Sequence, residues 1–162
     1  MFKQIHAGKI KVYDTAADDF KKELTHEEFK AALPAGDFEV VNWKLKEDWI
    51  YVKDRMIFEP RVVGLCPVIK VKTTGKVYDL CLMFYPELRE FLAGYKVTKK
   101  DEPRIKHADD VFYFRYFSGT IYKETNIHNR KIDDYAKGEA AKAEAMRIEV
   151  DLICIEHGFW SK

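Results

Sequence analysis

The sequence predicts an α+β fold: a small antiparallel β-meander with helices packed around it and a long helix at the C-terminus. Three observations carry this expectation. Between Phe38 and Tyr85, apolar and polar residues alternate in runs separated by short turns. That period of two marks strands with one wet face, and short connections favour antiparallel pairing. From Gly138 onward the chain is rich in Ala, Glu, Lys, Met and Arg, all strong helix formers.

In chain order, Phe2 to Val12 is a short segment compatible with a strand or a frayed helix. Thr25 with Glu28 three residues later forms a capping box, and Leu24 with Phe29 occupies the positions of a hydrophobic staple. The helix they start runs from His26 to about Leu33 and stops at Pro34. Gly36-Asp37 turns the chain. In Phe38 to Lys46, Val41, Trp43 and Leu45 point one way and Asn42, Lys44 and Lys46 the other. Trp49 to Lys53 reads as a second short strand. Met56 to Lys72 is a long apolar run holding Pro60 and Pro67. Proline cannot donate to a ladder, so the run is expected to be interrupted, bulged or at an edge. Thr74-Gly75 turns into Val77 to Tyr85.

Pro86-Glu87 opens a short helix whose stripe is Leu88, Phe91, Leu92 and Tyr95. Lys96 to His107 is charged and contains Pro103, so it reads as a loop. A helix starts near Asp109 or Asp110, and the aromatic run Val111 to Phe117 fits helix or strand, with the acidic start favouring helix. In the last helix, Gly138 to about Glu156, Ala143, Met146, Val150 and Ile153 recur at spacings of three and four, predicting that this stripe packs inward.

The 162 residues fit a single domain, 1–162. Apolar residues at 47% and aromatics at 14% suffice for a core and argue against disorder. A net charge of +1, with both signs interspersed, argues against a nucleic-acid binder. Lys9, Lys11, Lys44, Lys46, Lys70 and Lys72 read as solvated strand faces. No apolar run approaches the ~20 residues that span a bilayer. The start, Met1-Phe2-Lys3-Gln4, lacks the apolar stretch of a signal peptide. Cys66, Cys81 and Cys154 match no zinc or redox spacing. A Cys66–Cys81 bridge requires one particular hairpin register; the plainer reading is small buried hydrophobes.

No phosphate-binding loop, nucleophile elbow or kinase signature is present. Glu124, His128, Glu156 and His157 contain metal-ligating types without the paired-His helical spacing of a metalloprotease. The carboxylate pairs Asp18-Asp19, Asp109-Asp110 and Asp133-Asp134 stand at helix starts or in polar loops, where capping accounts for them better than glycosidase chemistry. Lys123, Glu124, Asn126 and Arg130 read as a turn held by Asn126, with the charges pairing around it. A contact surface on the same residues is compatible with that reading. Trp43, Trp49, Phe112, Tyr113, Phe114, Tyr116, Phe117, Phe159 and Trp160 exceed what a small core holds, a composition typical of protein–protein contacts.

The stretch Phe117-Ser118-Gly119-Thr120-Ile121-Tyr122-Lys123-Glu124-Thr125-Asn126-Ile127-His128-Asn129-Arg130, followed by Ile132-Asp133-Asp134-Tyr135, Gly138 and Ile155-Glu156-His157-Gly158-Phe159-Trp160, resembles the C-terminal signature of the GldN/PorN family. Gly8 to Asp14 with Asp18-Asp19-Phe20, the Lys46 to Trp49 step leading to Glu59-Pro60-Arg61-Val62-Val63-Gly64, Leu82 to Arg89, and Asp109 to Phe112 extend the resemblance over most of the chain. Two departures stand out. The family carries a further upstream stretch and a signal peptide, whereas this chain starts at Met1. Cys66 stands where the family has an aliphatic residue, so no cysteine role carries over.

The resemblance implies a non-catalytic structural subunit of the type IX secretion and gliding-motility machinery of Bacteroidetes. It implies a periplasmic location beneath the outer membrane, and a ring built from copies of the chain with a GldK/PorK-like lipoprotein, in contact with a GldM/PorM-like motor protein. No cofactor, metal or catalytic residue is implied. The signature residues Tyr122, Lys123, Glu124, Asn126, Arg130, Tyr135, Glu156 and Trp160 become the candidate interface. Two alternatives stay open: a periplasmic cell-wall-acting enzyme using Glu124, Glu156 and His157, and a peptide-binding module using an exposed strand edge in Met56–Lys72.

Overall fold

The structure, a computed structural model, describes residues 4–5, 8–16, 19–97 and 102–160, the last two of these without their side chains. Expectations for Phe2, Asp18 and the side chains of Phe159 and Trp160 lie outside them. The class is α+β, as the alternation predicts: a four-stranded antiparallel sheet with helices and a long C-terminal helix. The chain divides into two compact units, residues 1–48 with 61–116, and residues 49–60 with 117–162.

Helix α1, His26–Ala32, begins at the predicted capping box. The Glu28 amide donates to Thr25 Oγ1 at 3.2 Å, and the Thr25 amide donates back to the Glu28 carboxylate at 2.8 Å. Phe29, the inner half of the staple, is buried. Strand β1 runs Phe38–Val52 and β2 runs Ile57–Val71. The two short strands expected between Phe38 and Lys53 are thus one. Trp43 and Leu45 pack against the core, but Val41, expected beside them, is exposed. Strands β3, Val77–Asp79, and β4, Met83–Phe84, both pair antiparallel with β2.

The Met56–Lys72 run is therefore the middle of the sheet rather than an edge, and neither proline breaks it. The register supplies the reason. Val68 faces Asp79, whereas Leu65 faces Met83. Cys66 and Pro67 thus lie opposite three residues, Leu80, Cys81 and Leu82. The extra residue makes a bulge where no donor is needed from Pro67, whose carbonyl accepts from the Leu80 amide at 3.1 Å. Pro60 lies beyond the stretch of β2 that pairs with β3 and β4. The bulge also bears on the cysteines. Cys81 joins the main core cluster, Cys66 does not, and both thiols are unbridged. Burial pushes the Cys66 thiol up to about 12 and raises Cys81 as well, so both behave as small hydrophobes.

On one sheet face Leu65, Ile69, Cys81 and Met83 join Phe29, Tyr85, Leu88 and Leu92 in the core. Tyr13 is bridged to Leu82, its amide donating to the Leu82 carbonyl at 2.7 Å. This lays Ile10 and Val12 into the same core. Gly64 has no room for a side chain: a Cβ there would stand 2.7 Å from Phe20 Cζ. Phe20 in turn packs edge-on against Tyr13 and Phe84, with centroids at 5.5 and 5.2 Å. Two stretches that carry the family resemblance, one ending at Phe20 and one at Gly64, therefore close on each other.

Helix α2, Tyr85–Ala93, buries Tyr85, Leu88 and Leu92, while Tyr95, the last residue of the expected stripe, lies past its end and is exposed. Helix α3 covers Ala108–Tyr113. An isolated antiparallel bridge joins Lys96 to His107. Asp109 corrects the capping expectation. It is buried, accepting from Tyr85 Oη at 2.7 Å and Arg89 Nη2 at 3.0 Å. Its neighbour Asp110 does cap, accepting from the amides of Lys106 and His107.

Candidate interface on the polar turn and the C-terminal helix

The second unit has its own small core. Residues 117–131 form no regular element, and a 3-10 turn follows at Ile132–Asp134. Helix α4, Glu139–Trp160, then runs to the end of the described chain. Ile132 is buried against Ala145 and Ile148 of α4, with Ile121, Ala136, Ala141 and Leu152 around them. The irregular segment thus lies on one helix face through a few aliphatic anchors. The Ile132 amide donates to the Tyr122 carbonyl at 2.9 Å, closing the loop between them.

Asn126 organises that loop, as the sequence suggests. Its Nδ2 donates to the carbonyls of Glu124 (2.9 Å) and Arg130 (2.8 Å), and its Oδ1 accepts from the Arg130 amide at 2.9 Å. Both sides of the turn are held by one amide group, the local economy for which Asn is favoured. Asn129 adopts a positive φ of 53° inside it, a conformation Asn tolerates better than most residues.

The charges arrange differently from expectation. Glu124 meets Arg147 of α4 at 3.5 Å, and the Arg130 guanidinium lies 5.4 Å from the centre of the Tyr135 ring. Arg147 is the hub. It donates through Nε and Nη2 to Glu144 at 2.9 Å and also pairs with Asp151 one turn on. Tyr135 Oη donates to Glu144 at 3.2 Å, extending the chain of contacts back to the turn. Hydrogen bonding from Arg147 holds the Glu144 carboxyl below its ordinary range and raises the Arg147 guanidinium. Loss of solvent and then the bond to Glu144 raise the Tyr135 phenol.

Of the eight signature residues, Glu124, Asn126, Arg130 and Tyr135 therefore share one polar rim, and Tyr122 anchors it through its carbonyl. Lys123 is half-buried in the same segment. Glu156 is half-buried on α4, nine residues past Arg147, about 13 Å along the axis at a helical rise. Trp160 ends the helix. Glu144, Arg147 and Asp151 escaped the sequence reading, although their spacings of three and four signal helix-surface pairs. The enzyme reading needs Glu124 and Glu156 to converge. Glu124 instead pairs with Arg147, and among the described residues no group of three or more His, Cys, Asp or Glu could hold a metal. Among them also, no helix is long and apolar enough to cross a membrane.

The first unit carries a separate surface of aromatics and cations. Tyr113, Phe114 and Tyr116 are exposed, with Arg89 5.5 Å from the Tyr113 ring and Arg104 5.4 Å from Phe114. Trp43 and Phe112 pack inward, so the aromatic excess is divided between core and surface. The lysines divide too. Lys9, Lys11, Lys70 and Lys72 are exposed, but Lys44 bonds Asp79 at 2.6 Å and Lys46 lies over Phe20.

Comparison with curated proteins gives no match. The model of one family, described as gliding motility associated protein GldN, matches residues 1–161. A match over that span takes in both units, the Phe20–Gly64 contact and the Asn126 turn together, and the chain belongs to the GldN family.

Proposed function

We propose that the protein is a non-catalytic structural subunit of the periplasmic ring of the type IX secretion and gliding-motility machinery, the whole chain acting as one GldN-like domain. The family match over residues 1–161 carries this reading. It is supported by the character of the surfaces. Four of the signature residues, Glu124, Asn126, Arg130 and Tyr135, build a polar rim held to a helix, and large aromatics stay exposed on the first unit. Exposed aromatics beside charged groups are what a protein contact uses. In the ring, one patch on each copy meets a different patch on the next, and repeated rotation closes the assembly. A GldK/PorK-like lipoprotein ties it to the outer membrane, and a GldM/PorM-like motor protein touches it from below.

The experiment is co-purification with the GldK/PorK-like lipoprotein after the double charge reversal Lys123→Glu and Arg130→Glu. The reading expects recovery of the complex to fall about tenfold or more while the variant keeps its circular dichroism. Undiminished recovery would remove the Asn126 turn from the contact surface.

A further inference from the structure

Helix α4 has two apolar stripes on opposite sides. Ala145 and Ile148 are buried and Ala141 and Leu152 half-buried. The stripe predicted to pack inward is the other one, and it faces out: Met146 is 66% exposed, Val150 48% and Ile153 46%. With Ala143 before and His157 after, the outer stripe repeats every three and four residues. That is the heptad seam that takes the knobs of another helix. The flank Lys142, Glu149, Glu156 mixes signs, unlike the basic face of a helix that lies on a bilayer.

We propose that this seam pairs with the same seam of a second copy of the chain, the two α4 helices running antiparallel across a twofold axis between Met146 and Val150. The inference stands on α4 alone and does not depend on the ring. Shape and charge select the occupant. With Met146 of one copy against Val150 of the other, Ala143 meets Ile153, small against large. At the ends Glu139 opposes His157 and Lys142 opposes Glu156, each pair occurring twice by symmetry. Against them stand one Glu149–Glu149 and one Arg147–Arg147 approach. The second is offset by Glu144 and Asp151, which neutralise Arg147 within its own helix. A parallel pair would set Glu139 against Glu139 and lose both Lys142–Glu156 contacts, so it is disfavoured. The contact is isologous, distinct from a head-to-tail ring contact, and both kinds coexist in dihedral assemblies. Four apolar layers fall below the ~1,200 Å² of a standard interface, so the pairing is weak and depends on concentration.

The test is sedimentation equilibrium of the purified chain from about 5 µM to about 500 µM, with crosslinking in a Cys154→Ser background. A monomer–dimer equilibrium is expected. Val150→Asp abolishes it without changing helicity. Lys142→Glu weakens it about three- to tenfold, as loss of exposed ion pairs would, and Lys142→Glu with Glu156→Lys restores it. Glu149→Cys, beside the axis, gives a disulfide-linked dimer on mild oxidation, and Lys142→Cys does not. A chain that stays monomeric throughout, a dimer indifferent to Val150→Asp, or crosslinking at Lys142→Cys but not Glu149→Cys would overturn the proposal.

Discussion

Asp109 holds a buried charge between Tyr85 and Arg89, and that triad ties α3 to α2. Burial, then the bond to Asp109, raises the Tyr85 phenol. Asp109→Ala leaves a phenol and a guanidinium without their acceptor, so it is expected to cost about 2–3 kcal/mol in urea unfolding. A cost under about 0.5 kcal/mol would mean that water replaces the carboxylate freely. At Gly64 the physics is steric. Gly64→Ala forces Phe20 aside and is expected to cost about 1–3 kcal/mol. Phe20→Ala opens the space that the new methyl needs. The double variant should therefore be more stable than the two single costs summed, and strict additivity would place the strain elsewhere. Sequence alone showed Asp109 as one of two adjacent carboxylates at a helix start. Its partners lie 20 and 24 residues away, so only the fold separates the buried member from its capping neighbour.

Local signals were legible where they close over a few residues. The α1 capping box is one. Its Glu28 carboxyl is held below its ordinary value of 4.5, first by the Thr25 amide. A lowered folded pKa gives stability that is present above the unfolded value and lost as pH falls through the folded one. The Glu28 carboxyl in the folded protein should thus titrate by NMR with a midpoint below 4.5, and α1 should loosen only beneath it. A midpoint at or above that value would contradict the cap. Non-local choices were less legible. Helix α4 offers two stripes with the same period, and the larger side chains lie on the outer one, so hydrophobicity pointed at the wrong face. Ile148→Ala is expected to cost about 2–4 kcal/mol and Val150→Ala less than about 0.5 kcal/mol. Equal costs in thermal unfolding would reverse the assignment. The prolines of β2 pointed to a bulge, one of the expected outcomes and the one found at Pro67, but not to its extra residue lying on the opposing segment, which cannot be read from β2 itself.

At the scale of the whole molecule, two units each enclose a core, and the family signature runs through both. Membership was legible in the sequence because the resemblance extends over most of the chain. The site was legible in part. The Asn126 turn could be foreseen from turn chemistry, whereas the Arg147 hub depends on how residues 117–131 lie along α4. On the proposed function, these surfaces serve assembly rather than turnover. The most direct measurement mixes the purified chain with the GldK/PorK-like lipoprotein and follows mass by sedimentation and shape by electron microscopy. The account predicts closed rings containing both proteins in fixed ratio. Two components that sediment separately, with no ring in the images, would contradict it.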